Sequence, residues 1–380
     1  MTDTPDKTRA SGKTRVSSQT LASSDSQASD LTHYPWVQPA WEQIISSIET
    51  LHHGLLITGV PGIAKREFAM ALSQLLLCSS EVENVAGGRQ PCGQCQNCSL
   101  FMAGTHPDFH VLTTELETRD GRIELVTKYS DRYQDISARE KRSNPGKVIA
   151  VDQVRLLIER FYASAHIADR KIALIMPADR MNINSANALL KLLEEPPADS
   201  VLILVTAVPG YLPATVRSRC LRIEIPLAAD KIAMTWLLDH MSADEAKLAL
   251  RLSSGGPVTA LKMFDDGFLQ LQDKFLQGIT DLVNLKISAL DLAARFNKHD
   301  FLQLLDWLHR FNCELIQCSC GTGSPNWHSQ TGLDCGRLPI EKLFVLYDRI
   351  GYYKKIARLQ LNEQLAMEEL MLALQYVIRA

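Results

Sequence analysis

The 380-residue sequence contains no apolar run approaching the ~18 residues of a membrane-spanning helix, and its N-terminus has no apolar core of the kind a secretory signal carries. Neither a membrane span nor an export signal is expected, and the chain reads as cytoplasmic. An excess of one charge is also missing. Lys and Arg number 40 against 43 Asp and Glu, a formal net charge of −3, which gives no global signal for nucleic acid. Large apolar side chains are nearly absent from residues 1–32, a Ser- and Thr-rich stretch that cannot bury enough surface to offset the entropy of ordering. It is expected to be a disordered tail. The remainder, with 46% hydrophobic and 22% charged residues over the whole chain, is ordinary for a globular protein of two or three domains.

The stretch around which the chain is organised is KIALIMPADRMNINSANALLKLLEEPPADSVLILVTAVPGYLPATVRSRC, from Lys171 to Cys220. Lys171 to Met176 has the length and composition of a buried strand. Asn184 or Ser185 is the expected N-cap of a helix whose apolar face carries Leu189, Leu190, Leu192 and Leu193. Pro196 and Pro197 cannot continue that helix. Val201 to Thr206 is a second continuous apolar run, as in a parallel strand covered on both faces.

The run NALLKLLEEPP, followed by Ser218-Arg219-Cys220, resembles the clamp-loader branch of the AAA+ ATPases. The resemblance implies that the helix follows a Walker B strand and that Arg219 of the SRC motif is a trans-acting arginine finger. The opening HYPWVQPAWEQIISSIE, with Pro35, Trp36 and Trp41 around a turn and Ile44, Ile45 and Ile48 on one helical face, is similar to the start of the ATPase-like domain of a bacterial DNA polymerase III clamp-loader subunit.

Several groups that nucleotide hydrolysis needs are missing. HGLLITGVPGIAKREFAMA reads as strand, phosphate loop and helix. In the working pattern, backbone amides cradle phosphates, a Lys meets the β- and γ-phosphates, and a Ser or Thr ligates Mg²⁺. Gly59 and Lys65 are present, but Ala64 replaces the second glycine and Arg66 replaces the metal ligand. A methyl at residue 64 is expected to hinder close approach if the position needs positive φ. The Asp-Glu pair that ends the Walker B strand in active relatives falls on Met176 and Pro177, with Asp179 two residues late. In active relatives the helix after the Gly-x-Pro region carries a nucleotide-sensing arginine, and Val258 to Lys262 contains none. Gly59 and Lys65 are therefore read as a degenerate, inactive nucleotide site.

Nine cysteines are an odd count in a long chain, and their clustering points to metal rather than disulfides. Cys92, Cys95 and Cys98 form two overlapping Cys-x-x-Cys steps. With Cys78 upstream they suit a closed, structural zinc site; an iron–sulfur cluster is the rival. The resemblance implies a four-cysteine module at this point. The longer gap before Cys92 is placed in a surface loop, and His106 and His110 are read as structural. Cys313, Cys318, Cys320 and Cys335, with His328, have irregular spacing and are read as packing or free thiols.

The expected fold is an α/β AAA+ (RecA-like) parallel-sheet domain over 33–225, carrying the zinc module at 78–98 and a charged, mobile insertion at 113–146. A strand is expected from Val148 to Val151, followed by an amphipathic helix through Phe161, and a last strand from Leu221 to Ile225. A small helical lid domain (226–272) and an all-α collar domain (273–380) follow, the latter with Phe301, Leu304, Leu305, Trp307 and Leu308 as one apolar set. The resemblance implies a non-hydrolysing stator in a pentameric ring with motor (tau/gamma) and delta subunits. There Arg219 faces ATP hydrolysed by the neighbour, and the assembled loader handles the sliding clamp and primed DNA. Two other readings stand beside it: an active tau/gamma-like ATPase with a repaired Mg²⁺ site, and a zinc-dependent DNA-binding protein.

Overall fold

The computed structural model describes residues 31–83, 89–119, 124–134, 145–163, 167–297, 299–322, 333–357 and 361–379. The stretch read as a tail therefore lies almost wholly outside the described residues, as do parts of the 113–146 segment. The chain divides into two compact units, Met1–Asp265 and Asp266–Ala380. Among the described residues no helix is long and apolar enough to cross a membrane.

The first unit opens with a turn at Pro35–Val37 and helix α1 (Gln38–Ser46), which bury Trp36, Trp41 and Ile44. Strand β1 (Gly54–Thr58) leads through the phosphate loop into α2 (Lys65–Leu77). A two-stranded antiparallel ribbon, β2 (Val82–Glu83) and β3 (Arg89–Gln90), and α3 (Gln96–Ala103) carry the clustered cysteines. Then come β4 (Phe109–Leu112), α4 (Glu115–Arg119), α5 (Glu124–Ser130), α6 (Val151–Tyr162), β5 (Lys171–Ile175), α7 (Ile183–Glu194), β6 (Ser200–Thr206), α8 (Ala214–Arg217) and β7 (Leu221–Glu224). The segment expected as a lid holds α9 (Asp230–Leu238), α10 (Ala243–Leu252) and α11 (Pro257–Asp265), all within the first unit.

The main sheet has the order β4-β5-β6-β1-β7, with every pairing parallel. Strands β1, β4, β5 and β6 are buried along their whole length, whereas edge strand β7 buries only Ile223. Continuous apolar runs are what a sheet covered by helices on both faces requires. The parallel sheet and the phosphate-loop turn agree with the expected AAA+ architecture. The active edge of such a sheet is its strand C-terminal end, which in β1 and β6 is Thr58 paired with Thr206.

Three local expectations are corrected. The N-cap of α7 is Asn182, whose side chain accepts the Ser185 N–H at 2.8 Å. Helical backbone starts earlier than Asn184 because Asn182 already supplies the acceptor, and the Ser185 hydroxyl donates instead to the Ile149 carbonyl at 2.8 Å. Val148 to Val151 is not a strand. Ile149 makes one isolated parallel bridge to Met181, and α6 starts at Val151. Finally, the described part of 113–146 is anchored rather than a mobile excursion. Leu125, Val126, Tyr129 and Tyr133 are buried, and the Tyr129 hydroxyl bonds the Phe101 carbonyl at 3.0 Å.

The second unit is helical: α12 (Phe268–Val283), α13 (Ala289–Phe296), α14 (Phe301–Ser319), α15 (Ile340–Ile356) and α16 (Glu363–Ile378). Phe301, Leu304, Leu305, Trp307 and Leu308 are all buried on α14, the set expected from their spacing. Asp300 caps that helix by accepting from the Leu302 and Gln303 amides. Buried Asn312 donates to the Leu343 carbonyl of α15 at 3.0 Å.

Candidate functional site

The loop between β1 and α2 turns through three residues of positive φ, Gly59, Gly62 and Ala64. Gly59 has φ +147°, and a Cβ there would come within 2.4 Å of Ile63 Cδ1 and 2.7 Å of the Ile225 carbonyl oxygen. Gly62 has φ +76° and Ala64 φ +62°, so residue 64 does require the left-handed conformation expected to suit glycine. The methyl does not stop the turn from forming. It adds a strain of about 1–2 kcal/mol, offset by the packing around a side chain that is only 2% exposed.

Lys65 follows at the start of α2, where backbone amides and the helix dipole favour an anion. Its ammonium is turned back into the loop, donating to the Val60 carbonyl at 2.5 Å, and the residue is buried. Burial, assisted by neighbouring Arg66, brings its pKa down to about 8, against the opposing pull of Glu67 and Asp179. Arg66, in the place of the metal-ligating hydroxyl, forms an ion pair with Glu117 of α4. The carboxylate nearest the end of β5, Asp179, accepts from the Thr206 hydroxyl at 2.6 Å. Met176 and Pro177 supply no oxygen side chain at the strand end. Arg66, Met176 and Pro177 thus leave no side-chain oxygen at the three positions where a cation ligand would stand.

The lid closes onto this loop. The Val258 N–H donates to the Gly62 carbonyl at 2.9 Å. A Cβ on Gly256 would lie 2.1 Å from the Pro61 carbonyl oxygen. Trp36 donates its indole N–H to the Ile63 carbonyl at 3.1 Å, and its ring meets Trp236 of α9 edge-on with centroids 5.4 Å apart. Tyr34 adds a third ring, 5.7 Å from Trp36. The first turn, the phosphate loop and the lid are thus joined through one aromatic cluster.

The SRC residues lie in the turn from α8 to β7. Arg219 is 37% exposed at its side chain. It places Nη2 2.7 Å from Glu194 Oε1 and donates from Nη1 to the Thr215 carbonyl at 2.9 Å. Ser218 is exposed and bonds the Thr215 carbonyl at 3.2 Å. Cys220 packs inward beside Gly54, and burial raises its thiol pKa to about 11. Arg219 is therefore the one charged member of the motif, flanked by a hydroxyl and an inert packing thiol.

The four predicted zinc ligands converge. The sulfurs of Cys78, Cys92, Cys95 and Cys98 all lie within 4.8 Å of one another. The separations include 3.5 Å for Cys78–Cys92, 3.8 Å for Cys78–Cys95 and 4.0 Å for Cys92–Cys98. A tetrahedral Zn²⁺ with Zn–S of about 2.3 Å needs sulfur–sulfur edges of about 3.8 Å, so the cluster fits the ion. Backbone amides support the sulfurs: Cys92 N–H points to Cys78 at 3.3 Å, Cys95 N–H to Cys92 at 3.2 Å and Cys98 N–H to Cys95 at 3.4 Å. With no fifth donor in the group, the ion would serve as a structural clasp. Asn97 ties the module to α2 by donating to the Leu77 carbonyl at 2.8 Å. The expected surface loop before Cys92 is partly the β2–β3 ribbon.

His106 and His110 stay outside the cysteine group. His106 Nδ1 accepts the Asp108 N–H at 3.1 Å, and His110 is bonded to the Tyr133 hydroxyl at 2.5 Å. Among the described residues, Cys313, Cys318 and Cys320 form no disulfide and join no metal-ligand group. His328 and the Cys335 side chain lie outside the described residues. Sequence reasoning missed Glu117, Thr259 and Glu194. Only Glu194 carried a signal, as part of the LLKLLEEPP run.

A family model described as "DNA polymerase III, delta subunit" matches residues 37–229. The chain is 34% identical over 277 residues to the DNA polymerase III subunit delta' of Pseudomonas aeruginosa, covering 72% of this chain and 74% of that one. It is also 34% identical over 250 residues to the subunit delta' of Escherichia coli K12, 65% of each chain. A solved gamma subunit-related protein of DNA polymerase III from Thermotoga maritima aligns at 16% identity and a TM-score of 0.39, over 90% of this chain and 100% of that one.

Proposed function

This chain belongs to the DNA polymerase III delta' family, and on that premise we propose that it is a non-hydrolysing stator that lends Arg219 to the ATP site of a neighbouring clamp-loader subunit. The observation that carries the reading is Arg66: the position that should hold Mg²⁺ is a cation paired with Glu117. A site without a metal ligand, and without carboxylates at Met176 and Pro177, lacks the charge neutralisation that phosphoryl transfer uses. Cys78, Cys92, Cys95 and Cys98 would hold Zn²⁺ as a structural ion, fixing the module beside α2 and taking no part in chemistry.

Arg219 supplies to a partner what this chain does not use itself. In the neighbour's site, water attacks the γ-phosphorus while the bond to the β,γ-bridging oxygen breaks, leaving ADP and inorganic phosphate. A guanidinium fork neutralises the charge spread over the γ-phosphoryl oxygens, and it is supplied only when the two subunits meet. The ring is pentameric, with motor (tau/gamma) and delta subunits. The second unit serves as its collar, and the sliding clamp and primed DNA are engaged by the whole assembly.

The experiment is ATP hydrolysis, stimulated by clamp and primed DNA, in a reconstituted loader with the wild-type chain or Arg219→Ala, beside the isolated chain. A silent isolated chain and a drop of at least ten-fold in the mutant ring are expected, such fingers supplying up to about 10³–10⁵ in rate. Unchanged turnover in an assembled mutant ring would remove the role of Arg219. Hydrolysis by the isolated chain would restore the active ATPase reading.

A further inference from the structure

Two fixed backbones face each other across Arg219. On one side α7 ends at Glu194, pinned by the Leu193 carbonyl against His53 Nε2 at 2.8 Å and by the Tyr162 hydroxyl on the Glu195 carbonyl at 3.0 Å. On the other, the Arg219 carbonyl oxygen packs so tightly on Gly54 that a Cβ there would come within 3.0 Å. Between them the side chains of Arg219 and Glu194 meet at 2.7 Å, 37% and 49% exposed. The backbones on both sides are thus held by packing and hydrogen bonds, while both side chains reach solvent.

Glu194 is badly placed for its own helix. It is the last residue of α7, where unpaired carbonyls already concentrate partial negative charge and a carboxylate is unfavourable. The compensating cation is Arg219. Lys191, the basic residue in the last turn, makes no ion pair with Glu194 among the described residues, whereas Arg219 does.

We propose that Glu194 is a positioning residue that parks the Arg219 guanidinium and sets a threshold for its use in trans. The inference rests on the reading of Arg219 as an arginine finger. With the carboxylate 2.7 Å away, a phosphoryl group approaching from a neighbour meets a cation whose field is largely cancelled. An exposed pair of this kind is weak and readily broken. Phosphoryl oxygens in a closed, water-poor interface form the stronger charge-assisted bond with a guanidinium. Exchange of Glu194 for the γ-phosphate therefore happens only when the neighbour's site is brought close, and an open interface keeps a muted arginine.

The test uses the reconstituted loader with Glu194→Gln, Glu194→Asp, Arg219→Ala and the double variant Arg219→Ala/Glu194→Gln, with ring assembly checked by gel filtration. Turnover is measured without and with clamp and primed DNA. Glu194→Gln is expected to raise the unstimulated rate two- to five-fold, the upper figure being about 1 kcal/mol at ten-fold per 1.4 kcal/mol. The stimulated rate should change by less than about two-fold, so the stimulation ratio falls. Glu194→Asp, which keeps the charge, should retain a ratio near that of wild type, and the double variant should be no faster than Arg219→Ala. An assembled Glu194→Gln ring whose unstimulated rate equals or falls below wild type would overturn the threshold while leaving the finger intact. An Arg219→Ala ring with normal turnover would instead remove the finger itself.

Discussion

Gly62 and Thr259 approach so closely that a Cβ on the glycine would lie 2.2 Å from the threonine Oγ1 and 2.7 Å from its backbone nitrogen. The loop and the first turn of α11 are therefore in backbone contact, with no room for a side chain between them. Gly62→Ala is expected to lose about 2–3 kcal/mol, from overpacking added to the cost of φ +76°. Urea denaturation measures this. Gly321→Ala, at φ +74° with nothing within 4 Å of its Cβ position, should lose only about 1 kcal/mol. Equal losses at both positions would mean that the loop and lid are not joined in this way.

Ala64 is the opposite case, a methyl held at φ +62°. Ala64→Gly relieves left-handed strain but gives the unfolded chain more freedom, so a net gain of up to about 1 kcal/mol is expected. A rise in Tm of a few degrees would register it, and a fall would show that the packing of the methyl outweighs the strain.

The cysteine module is expected to hold one zinc per chain, because four sulfurs fit a tetrahedral ion and leave no open position. Cys98→Ser, which alters a buried ligand, should lower bound metal severalfold and abolish amide protection in α3. A colorimetric zinc assay and hydrogen exchange read the two effects. Protection in β1 and β6, which pair with each other, should survive.

His110 gives the first unit a pH dependence of predictable sign. Burial, reinforced by the positive charge of Arg132, lowers its pKa from 6.5 to about 4. The unfolded chain thus binds more protons between these values, so stability is complete above pH 6.5 and is lost as the pH falls through that window. The loss from this residue approaches about 3 kcal/mol at pH 4. His110→Gln should flatten the slope of unfolding free energy between pH 6.5 and 4.5. An unchanged slope would mean that other groups carry the acid sensitivity.

The parallel sheet was legible because strands buried on both faces leave unbroken apolar runs, as in Lys171–Ile175 and Ser200–Thr206. Cys92, Cys95 and Cys98 were legible because ligand spacing within one turn is written locally. Partners that meet only on folding were not. Arg66 announces the loss of a metal ligand, but nothing in sequence places Glu117, 51 residues on, against it. The 113–146 segment was misjudged because Leu125, Val126, Tyr129 and Tyr133 are spread among charges, while burial depends on which few side chains turn inward. The α7 cap was missed because Asn182 and Asn184 carry the same acceptor, and only backbone angles decide between them.

The indole of Trp36 has a mechanical consequence. It is only 3% exposed, hydrogen-bonded to Ile63 and wedged edge-on against Trp236, which itself lies 5.3 Å from the His240 ring. Swinging α9 away from the loop would have to part Trp236 from both Trp36 and Tyr34, at about 1 kcal/mol per ring pair beyond the apolar area exposed. Hinge bending within the first unit is thereby suppressed, and the loop and lid should open to solvent exchange as one cooperative block. Force applied at one end of that block would reach the other undiminished, as through a strut rather than a spring.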